Sequence, residues 1–198
     1  DIDNNEYDIV TIGNQTWMAD NLRVTRFNDG TPIPLIDNTT SWANSNSPAY
    51  TWYDNTRNDF GALYNFFAVA DTNRLNICPV GWHVPNEAEW NELRDLLDTD
   101  PLPGILENDS GSKMRESGLA NWQLPNTNST NESGFTALPG GIRTAPGAFE
   151  VIYESAYFWS SKPVNIYARA YSLFYLNEIF ILFTSEKQAG MSVRCIQD

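Results

Sequence analysis

Apolar residues alternate with polar ones along several short stretches of the chain, and each stretch predicts a β-strand. Residues 9–12 alternate, a turn is expected at Gly13-Asn14, and the apolar run resumes at Gln15, which predicts an N-terminal β-hairpin. Strand-like stretches return near the end of the chain as AYFWSS, YARAYSLFYL, IFILFTS and GMSVRCIQ. No sharp break in composition divides the 198 residues, so we expect one domain over residues 1–198.

Helical spacing is confined to two stretches. In VPNEAEWNELRDLLD, Asn86 is a predicted N-cap, and Trp90, Leu93, Leu96 and Leu97 recur on one face of the predicted helix. The prolines of DTDPLPG cannot continue that helix and end it. The second and shorter predicted helix, in GALYNFFAVAD, has its apolar positions at Leu63, Phe66, Phe67 and Ala70.

The segment YSLFYLNEIFILF, residues 171–183, predicts a hairpin with two distinct faces. If Asn177-Glu178 forms a two-residue turn, Leu176 lies opposite Ile179. One face is then small and apolar, and we expect it on the core, while the other is mixed and aromatic, as binding surfaces are. Two alternatives stay open: both faces are buried, or a longer turn shifts the register and swaps them. The predicted core face is Ala170, Ser172, Phe174, Leu176, Ile179, Ile181 and Phe183, and the predicted exposed face is Arg169, Tyr171, Leu173, Tyr175, Phe180, Leu182 and Thr184, with Asn165 and Tyr167 added by alternation.

Charge and hydropathy exclude two classes of partner. The formal net charge is −13, and so negative a surface repels phosphate backbones, so we expect no nucleic-acid partner. Residues 171–183 are too short to cross a bilayer as a helix, and we expect no membrane-spanning segment. The sequence begins with neither Met nor a signal peptide, and we interpret it as a mature chain from which any targeting segment has been removed.

The chain has two cysteines, Cys78 and Cys195, which are too few for a disulfide scaffold or a structural zinc site. They are either two buried thiols or one bridge, and we favour the bridge. A bridge would close a long loop and indicate an oxidising, extracytoplasmic setting.

Several motifs resemble a known family. CPVGWHVPNEAEW, NESGFTALPGG, YFWSS and SVRC, together with IGNQTWMADNLRV and FGALYNF, resemble the Fibrobacter succinogenes major paralogous domain, a family of bacterial extracytoplasmic domains. The GWHVPNEAEW motif is also similar to the formylglycine-generating-enzyme branch of the C-type-lectin-like fold. The resemblance implies an α+β, C-type-lectin-like fold with a twisted antiparallel sheet, two helices and long irregular loops. It also implies that the N- and C-terminal strands pair, and it suits a bridge from Cys78 to Cys195.

The same resemblance implies a binding role. Members look like secreted or lipid-anchored surface proteins, and some resemble variable proteins of diversity-generating retroelements, whose C-terminal face is mutated to make new binding sites. Residues 153–189 occupy that place here. We therefore expect a secreted or cell-surface anchored module that binds a protein or glycan; the alternative is a non-catalytic structural or assembly domain of a bacterial cell-surface protein. The candidate ligand-binding residues are Tyr153, Asn165, Tyr167, Arg169, Tyr171, Leu173, Tyr175, Phe180 and Leu182.

Candidate chemistry is sparse, and we expect no enzymatic activity. His83 is the one histidine, and a thiol pair with Cys78 is outweighed by a packed, hydrogen-bonded role before the helix. The formylglycine-generating enzymes use paired C-terminal cysteines or copper, and no second cysteine lies near Cys195. The loop from Glu107 to Ser112 supplies oxygen ligands, so a bound calcium is possible although its spacing is not that of an EF-hand.

Overall fold

The computed structural model describes residues 1–56, 59–70, 75–99 and 108–198. Four α-helices occur in these residues, α1 (Thr39–Ala43), α2 (Phe66–Val69), α3 (Glu87–Leu97) and α4 (Ser110–Met114), with a 3₁₀ turn at Tyr53–Asn55. The strands in the same residues are β1 (Ile9–Ile12), β2 (Gln15–Met18), β3 (Tyr50–Thr51), β4 (Leu63–Asn65), β5 (Trp82–His83), β6 (Ile142–Arg143), β7 (Phe149–Glu150), β8 (Ser155–Val164), β9 (Tyr167–Phe174), β10 (Phe180–Glu186), β11 (Gly190–Met191) and β12 (Ile196–Gln197).

The strands form three sheets, and every paired strand runs antiparallel to its neighbour. The first sheet has the order β1-β2-β12-β5, the second β3-β4-β11-β6-β7, and the third, which we call the C-terminal sheet, β10-β9-β8. The predicted N-terminal hairpin is confirmed, with Ile9 opposite Met18 and Ile12 opposite Gln15. Strand β12 joins β2, so the two ends of the chain meet in one sheet.

The predicted fold class, an α+β C-type-lectin-like fold with one twisted sheet and two helices, is wrong. The described residues form three separate sheets instead of one, and among their helices only α3 is longer than five residues. The physical reason lies in the short strands. Nine strands of two to four residues pair with one another to make the first two sheets, so most of the regular structure in the described residues is β.

The second predicted helix is the clearest local error. Leu63, Tyr64 and Asn65 form β4, which pairs with both β3 and β11, and only Phe66–Val69 makes a single helical turn. Pairing on two sides outweighs helix-compatible spacing over so short a run. The last residue of the predicted stretch, residue 71, lies outside the described residues.

The first predicted helix is confirmed as α3. The Asn86 side chain accepts hydrogen bonds from the backbone amides of Ala88 and Glu89, and the Glu89 carboxylate accepts one from the Asn86 amide, which completes a capping box. Trp90 is fully buried, but Leu96, which was predicted on the same face, is exposed. Its side chain instead lies beside Gly13, on the turn between β1 and β2.

Two hydrophobic clusters form the interior. The first surrounds Trp159, Tyr64 and Phe66 and lies between the second sheet and one side of the C-terminal sheet. The second surrounds Trp90 and lies between α3 and the other side of the C-terminal sheet. The C-terminal sheet therefore separates the two clusters.

Three arginines lie fully buried between these layers, and their guanidinium groups donate hydrogen bonds to backbone carbonyls. They are Arg115, Arg143 and Arg194. Arg194 donates to the carbonyls of Met18, Phe135 and Thr136. Burial lowers its pKa to about 9 and that of Arg115 to about 10. Each arginine joins segments far apart in sequence, so it fixes irregular loops that lack a regular ladder of backbone hydrogen bonds.

The predicted disulfide is confirmed: the sulfur atoms of Cys78 and Cys195 are 2.01 Å apart, and both residues are fully buried. The bridge joins residues separated by 117 positions. On a chain-entropy basis, closing a loop of that length stabilises the folded state by about 5 kcal/mol.

Candidate functional site

The C-terminal hairpin forms, but its turn is longer than predicted. Leu173 lies opposite Phe180, so residues 175–179 form a five-residue loop in place of the two-residue turn at Asn177-Glu178. The Arg115 guanidinium donates to the carbonyls of Phe174 and Asn177 and holds this loop from behind. The shift in register is two residues, an even number, so the division of side chains between the two faces is as predicted.

The middle of the face that was predicted to be exposed lies inside the molecule. Tyr171, Leu173 and Phe180 are fully buried beneath α3. The Tyr171 and Phe180 rings stack with centroids 4.9 Å apart, and the Trp90 ring lies within 5.5 Å of both. The prediction that these three residues meet solvent is therefore wrong, and we call this side of the sheet the inner face.

The contacts of Trp90 explain why the inner face is buried. Its ring also lies 5.7 Å from Phe158, which is on the same side of the sheet, and 4.6 Å from Trp17 in β2. The Tyr171 hydroxyl finds acceptors in the Asn91 side chain, 3.0 Å away, and the Glu87 carbonyl, 3.2 Å away. Burial raises the pKa of Tyr171. A tyrosine with its hydroxyl satisfied is buried at little cost.

The remaining predicted site residues lie at opposite ends of the C-terminal sheet. Tyr153 is exposed and Tyr175 half-buried at the end where β8 begins, while Asn165 and Tyr167 are exposed near the β8–β9 turn. The ten residues of β8 separate these ends by about 30 Å. Two further predicted residues occupy the edge of the inner face: Leu182 is half-buried, and Arg169 has its Nε 3.1 Å from a Glu87 carboxylate oxygen. The nine residues therefore do not form one surface.

The opposite side of the C-terminal sheet presents a partly exposed apolar surface. Tyr157, Ser172 and Ile181 lie side by side across the three strands, and the rings of Tyr157 and Phe183 are 5.8 Å apart. We call this surface the outer face. It consists of Tyr157, Ser172, Phe174, Ile181 and Phe183, all of them partly exposed and none of them charged.

The outer face has a defined boundary. Toward the β8–β9 turn, Trp159 and Ala170 continue the same side of the sheet but are fully buried, since the Phe66 ring packs 5.4 Å from the Trp159 ring. Toward the other end, Leu176 in the hairpin loop is half-exposed. The prediction that this face lies on the core is therefore wrong for all of its seven residues except Ala170. The partly or largely exposed ones are Ser172, Phe174, Leu176, Ile179, Ile181 and Phe183. Tyr157 was missed, although the alternation of AYFWSS places it on the side opposite Ala156 and Phe158.

Two clefts lie beside α2. One has a volume of about 300 Å³ and is lined chiefly by Phe66, Phe67, Pro48 and Pro163, with Lys187 at its rim. The Lys187 ammonium donates to the Asn165 carbonyl at 2.9 Å, so this cation is already engaged. The other has a volume of about 240 Å³, and its polar lining includes Asn76, His83, Asn86 and Ser161.

His83 lies between two carboxylates. Its Nδ1 is 2.7 Å from Asp198 and its Nε2 is 2.8 Å from Glu89. Burial opposes protonation of the ring, but the hydrogen bonds to Glu89 and Asp198 outweigh it and raise the pKa of His83. Cys78 is in the disulfide, so a His83–Cys78 thiol pair does not exist.

The suggested calcium loop is only partly described, because Glu107 lies outside the described residues. Both Asp109 carboxylate oxygens accept hydrogen bonds from Thr99, and Lys113 lies 3.1 Å away. Burial opposes ionisation of Asp109, but the hydrogen bonds from Thr99 dominate and lower its pKa to about 2. Within the described ranges, no group of three or more His, Cys, Asp or Glu side chains is placed to hold a metal ion.

None of the helices in the described part of the chain has both the length and the apolar composition that a bilayer crossing needs.

Comparison with models of known protein families matches residues 10–197, nearly the whole chain, to the Fibrobacter succinogenes major domain. No curated protein and no solved structure matches the chain.

Proposed function

This chain belongs to the Fibrobacter succinogenes major domain family, and from that premise we propose that it is an extracytoplasmic binding module that captures a protein partner through the outer face. The observation that carries the proposal is the contrast between this face and the rest of the chain. The chain has a net charge of −13, yet five neighbouring, partly exposed residues on the outer face carry no charge. Exposed apolar patches on otherwise polar proteins are typical of interaction sites.

A protein fits the outer face better than a glycan. The only side-chain hydroxyls on this face are those of Tyr157 and Ser172, whereas Phe174, Ile181 and Phe183 offer apolar area alone. A glycan presents many hydroxyl groups that need partners when they are buried, but a protein surface can bring matching apolar side chains. Capture would therefore depend on burial of apolar area.

The disulfide supports the extracytoplasmic part of the proposal. Bridges such as Cys78–Cys195 form and persist in oxidising compartments. In the secreted or surface-anchored setting that we propose, the outer face would meet proteins of the cell surface or the surrounding medium.

The test measures which proteins are retained by immobilised wild type and by two variants, each with one aliphatic residue replaced by serine. Ile181→Ser removes apolar area from the middle of the outer face, while Leu124→Ser changes an exposed leucine that is not part of that face. We expect wild type and Leu124→Ser to retain a common partner from the surface proteins of the source bacterium, identified by mass spectrometry, and Ile181→Ser to lose it. Equal retention by all three proteins, with unchanged near-ultraviolet circular dichroism, would reject the outer face.

Assembly is the second candidate function, because the same apolar face could lie between copies of this chain. The net charge of −13 on each copy opposes such contact. Sedimentation at rising protein concentration separates the two functions: a dimer that Ile181→Ser dissociates favours assembly, and a persistent monomer favours capture of a different protein.

Diversification of residues 153–189 stays a prediction, and the two faces sharpen it. Inner-face residues such as Tyr171 and Phe180 are packed against Trp90, so variation there would damage the core. If the gene is diversified, we expect changes at outer-face positions and at exposed turn residues, and none at the inner face. Sequencing gene copies with the neighbouring DNA would reveal the pattern.

A further inference from the structure

Strand β10 is the edge of the C-terminal sheet, and its backbone identifies which groups face away from the sheet. The Phe180 amide donates to the Asn108 side chain at 2.9 Å, and the Phe180 carbonyl accepts from the same side chain at 3.2 Å. Phe180 therefore points its backbone groups away from β9. In an antiparallel pair, alternate residues point the same way, so the amides and carbonyls of Leu182 and Thr184 also face outward.

The outward backbone groups of β10 that lack a hydrogen-bond partner in the described part of the chain form a short segment, which we call the open stretch. At each end of it the outward groups are hydrogen-bonded. Asn108 occupies the edge at Phe180, and the Glu186 carbonyl accepts from the Ala189 amide at 3.0 Å. Between them, across residues 1–56, 59–70, 75–99 and 108–198, no backbone or side-chain group bonds to Leu182 or Thr184 on the outer side of β10. The open stretch spans roughly 10–15 Å, the length of four or five extended residues.

The groups on this edge specify the conformation of what binds there. Two amides and two carbonyls, spaced two residues apart, are satisfied together by an extended chain and by neither a helix nor a small molecule. A fourth strand would also widen the outer face, since its alternate side chains would extend the row that contains Ile181 and Phe183.

Charge favours a partner other than a second copy. Glu178 and Glu186 lie near the two ends of the open stretch, and each copy carries a net charge of −13. Two copies that paired along β10 would bring these glutamates together. Lysine or arginine at the ends of an incoming segment would instead complement them.

We propose that β10 accepts an extended segment of the protein partner as a fourth strand, with apolar residues on the outer-face side and basic residues at both ends. The inference rests on the proposed function and specifies how the partner is recognised. Backbone hydrogen bonds to Leu182 and Thr184 would supply orientation, and the apolar side chains would supply most of the burial.

A synthetic peptide tests the proposal directly. The probe is acetyl-Lys-Val-Thr-Val-Thr-Val-Lys-amide, and the readout is hydrogen exchange at the Leu182 and Thr184 amides of the intact chain, followed by nuclear magnetic resonance. At saturating peptide we expect both amides to exchange at least about tenfold more slowly, because strand pairing protects them. The same peptide with every amide N-methylated has no donor on either edge and should give no protection.

A matched pair of substitutions provides the control on the protein side. Thr184→Pro removes an outward amide at an edge position, where proline is tolerated, and should abolish the protection of Leu182. Thr184→Val keeps the amide and should preserve it. Absence of protection in wild type, or equal protection by the N-methylated peptide, would overturn strand addition. The outer-face proposal would fail separately, through retention of the partner by Ile181→Ser.

Discussion

The inner and outer faces of the C-terminal sheet have similar apolar character but different surroundings. On the inner face, Tyr171 and Phe180 pack against Trp90 and are fully buried. On the outer face, Ile181 and Phe183 come from the same strand as Phe180 yet stay partly exposed. Both sets are rich in large apolar side chains, so apolar content alone does not decide which side becomes core.

The difference teaches that a buried face needs a complementary partner within the chain. Helix α3 supplies one, because it brings the Trp90 ring and acceptors for the Tyr171 hydroxyl to the same side of the sheet. No comparable element of the described chain covers Ile181, which stays partly exposed.

The largest expected effect is a difference in stability between two phenylalanine-to-alanine variants in β10, one on each face of the sheet. Phe180→Ala should lower the free energy of unfolding by about 3–5 kcal/mol, because it leaves a cavity beside Trp90. Phe183→Ala, the matched control on the outer face, should cost only about 1 kcal/mol, since that ring is partly exposed. Urea denaturation measures both. Equal losses would mean that the two faces are equally buried in solution.

Removing the support of the hairpin loop should produce the next largest effect. Arg115→Met leaves the carbonyls of Phe174 and Asn177 without their buried donor, which should cost about 2–4 kcal/mol. Arg26→Met, which removes a half-exposed arginine from an ion pair with Asp3, should change stability by about 0.5 kcal/mol or less. Similar losses in the two variants would indicate that the buried guanidinium does not fix the loop.

Removal of one tyrosine hydroxyl from each face should give a smaller difference in stability. Tyr171→Phe removes a hydrogen bond to Asn91 or Glu87 and should cost about 1 kcal/mol. Tyr157→Phe should be nearly neutral, because the Tyr157 hydroxyl has no hydrogen bond within the described residues. Thermal denaturation of both variants measures these losses. A larger loss in Tyr157→Phe than in Tyr171→Phe would contradict the prediction.

The smallest expected effect concerns the end of α3 that covers the inner face. The folded-state pKa of His83 lies above its ordinary value, so the folded state holds the proton more tightly than the unfolded state does. Its contribution is full below about pH 6.5 and is lost as the pH rises through the folded-state pKa. The stability of wild type relative to His83→Asn should therefore fall slightly as the pH rises above about 6.5 and through the folded-state pKa. Parallel urea midpoints for the two proteins across that range would contradict this role.

The sequence predicted some of these features correctly because their causes are local. The Asn86 cap, the β1–β2 hairpin and the sorting of hairpin side chains into two sets follow from neighbouring residues. The length of the hairpin loop could not be predicted, since it depends on Arg115, which lies about 60 positions earlier in the chain.

Which face of the hairpin is buried could not be predicted from neighbouring residues either. It depends on Trp90, about 80 positions before Tyr171, and on the side of the sheet against which α3 packs. The alternative that both faces are buried does hold at the end near Ala170, where Phe66 covers Trp159. The single-sheet, two-helix expectation failed because strands such as β4 are defined by pairing partners that lie far away in the chain.

The bridge between Cys78 and Cys195 also determines how the domain would carry mechanical load. Tension applied at the two ends of this chain enters at Asp198, three residues beyond Cys195, and crosses the covalent bond directly to Cys78. Residues 79–194, which include the whole C-terminal sheet, are then bypassed. Only the 77 residues before the bridge can be drawn out, to about 270 Å at most. A domain pulled at these two points would therefore unravel in its first third before any tension acted on the backbone of the C-terminal sheet.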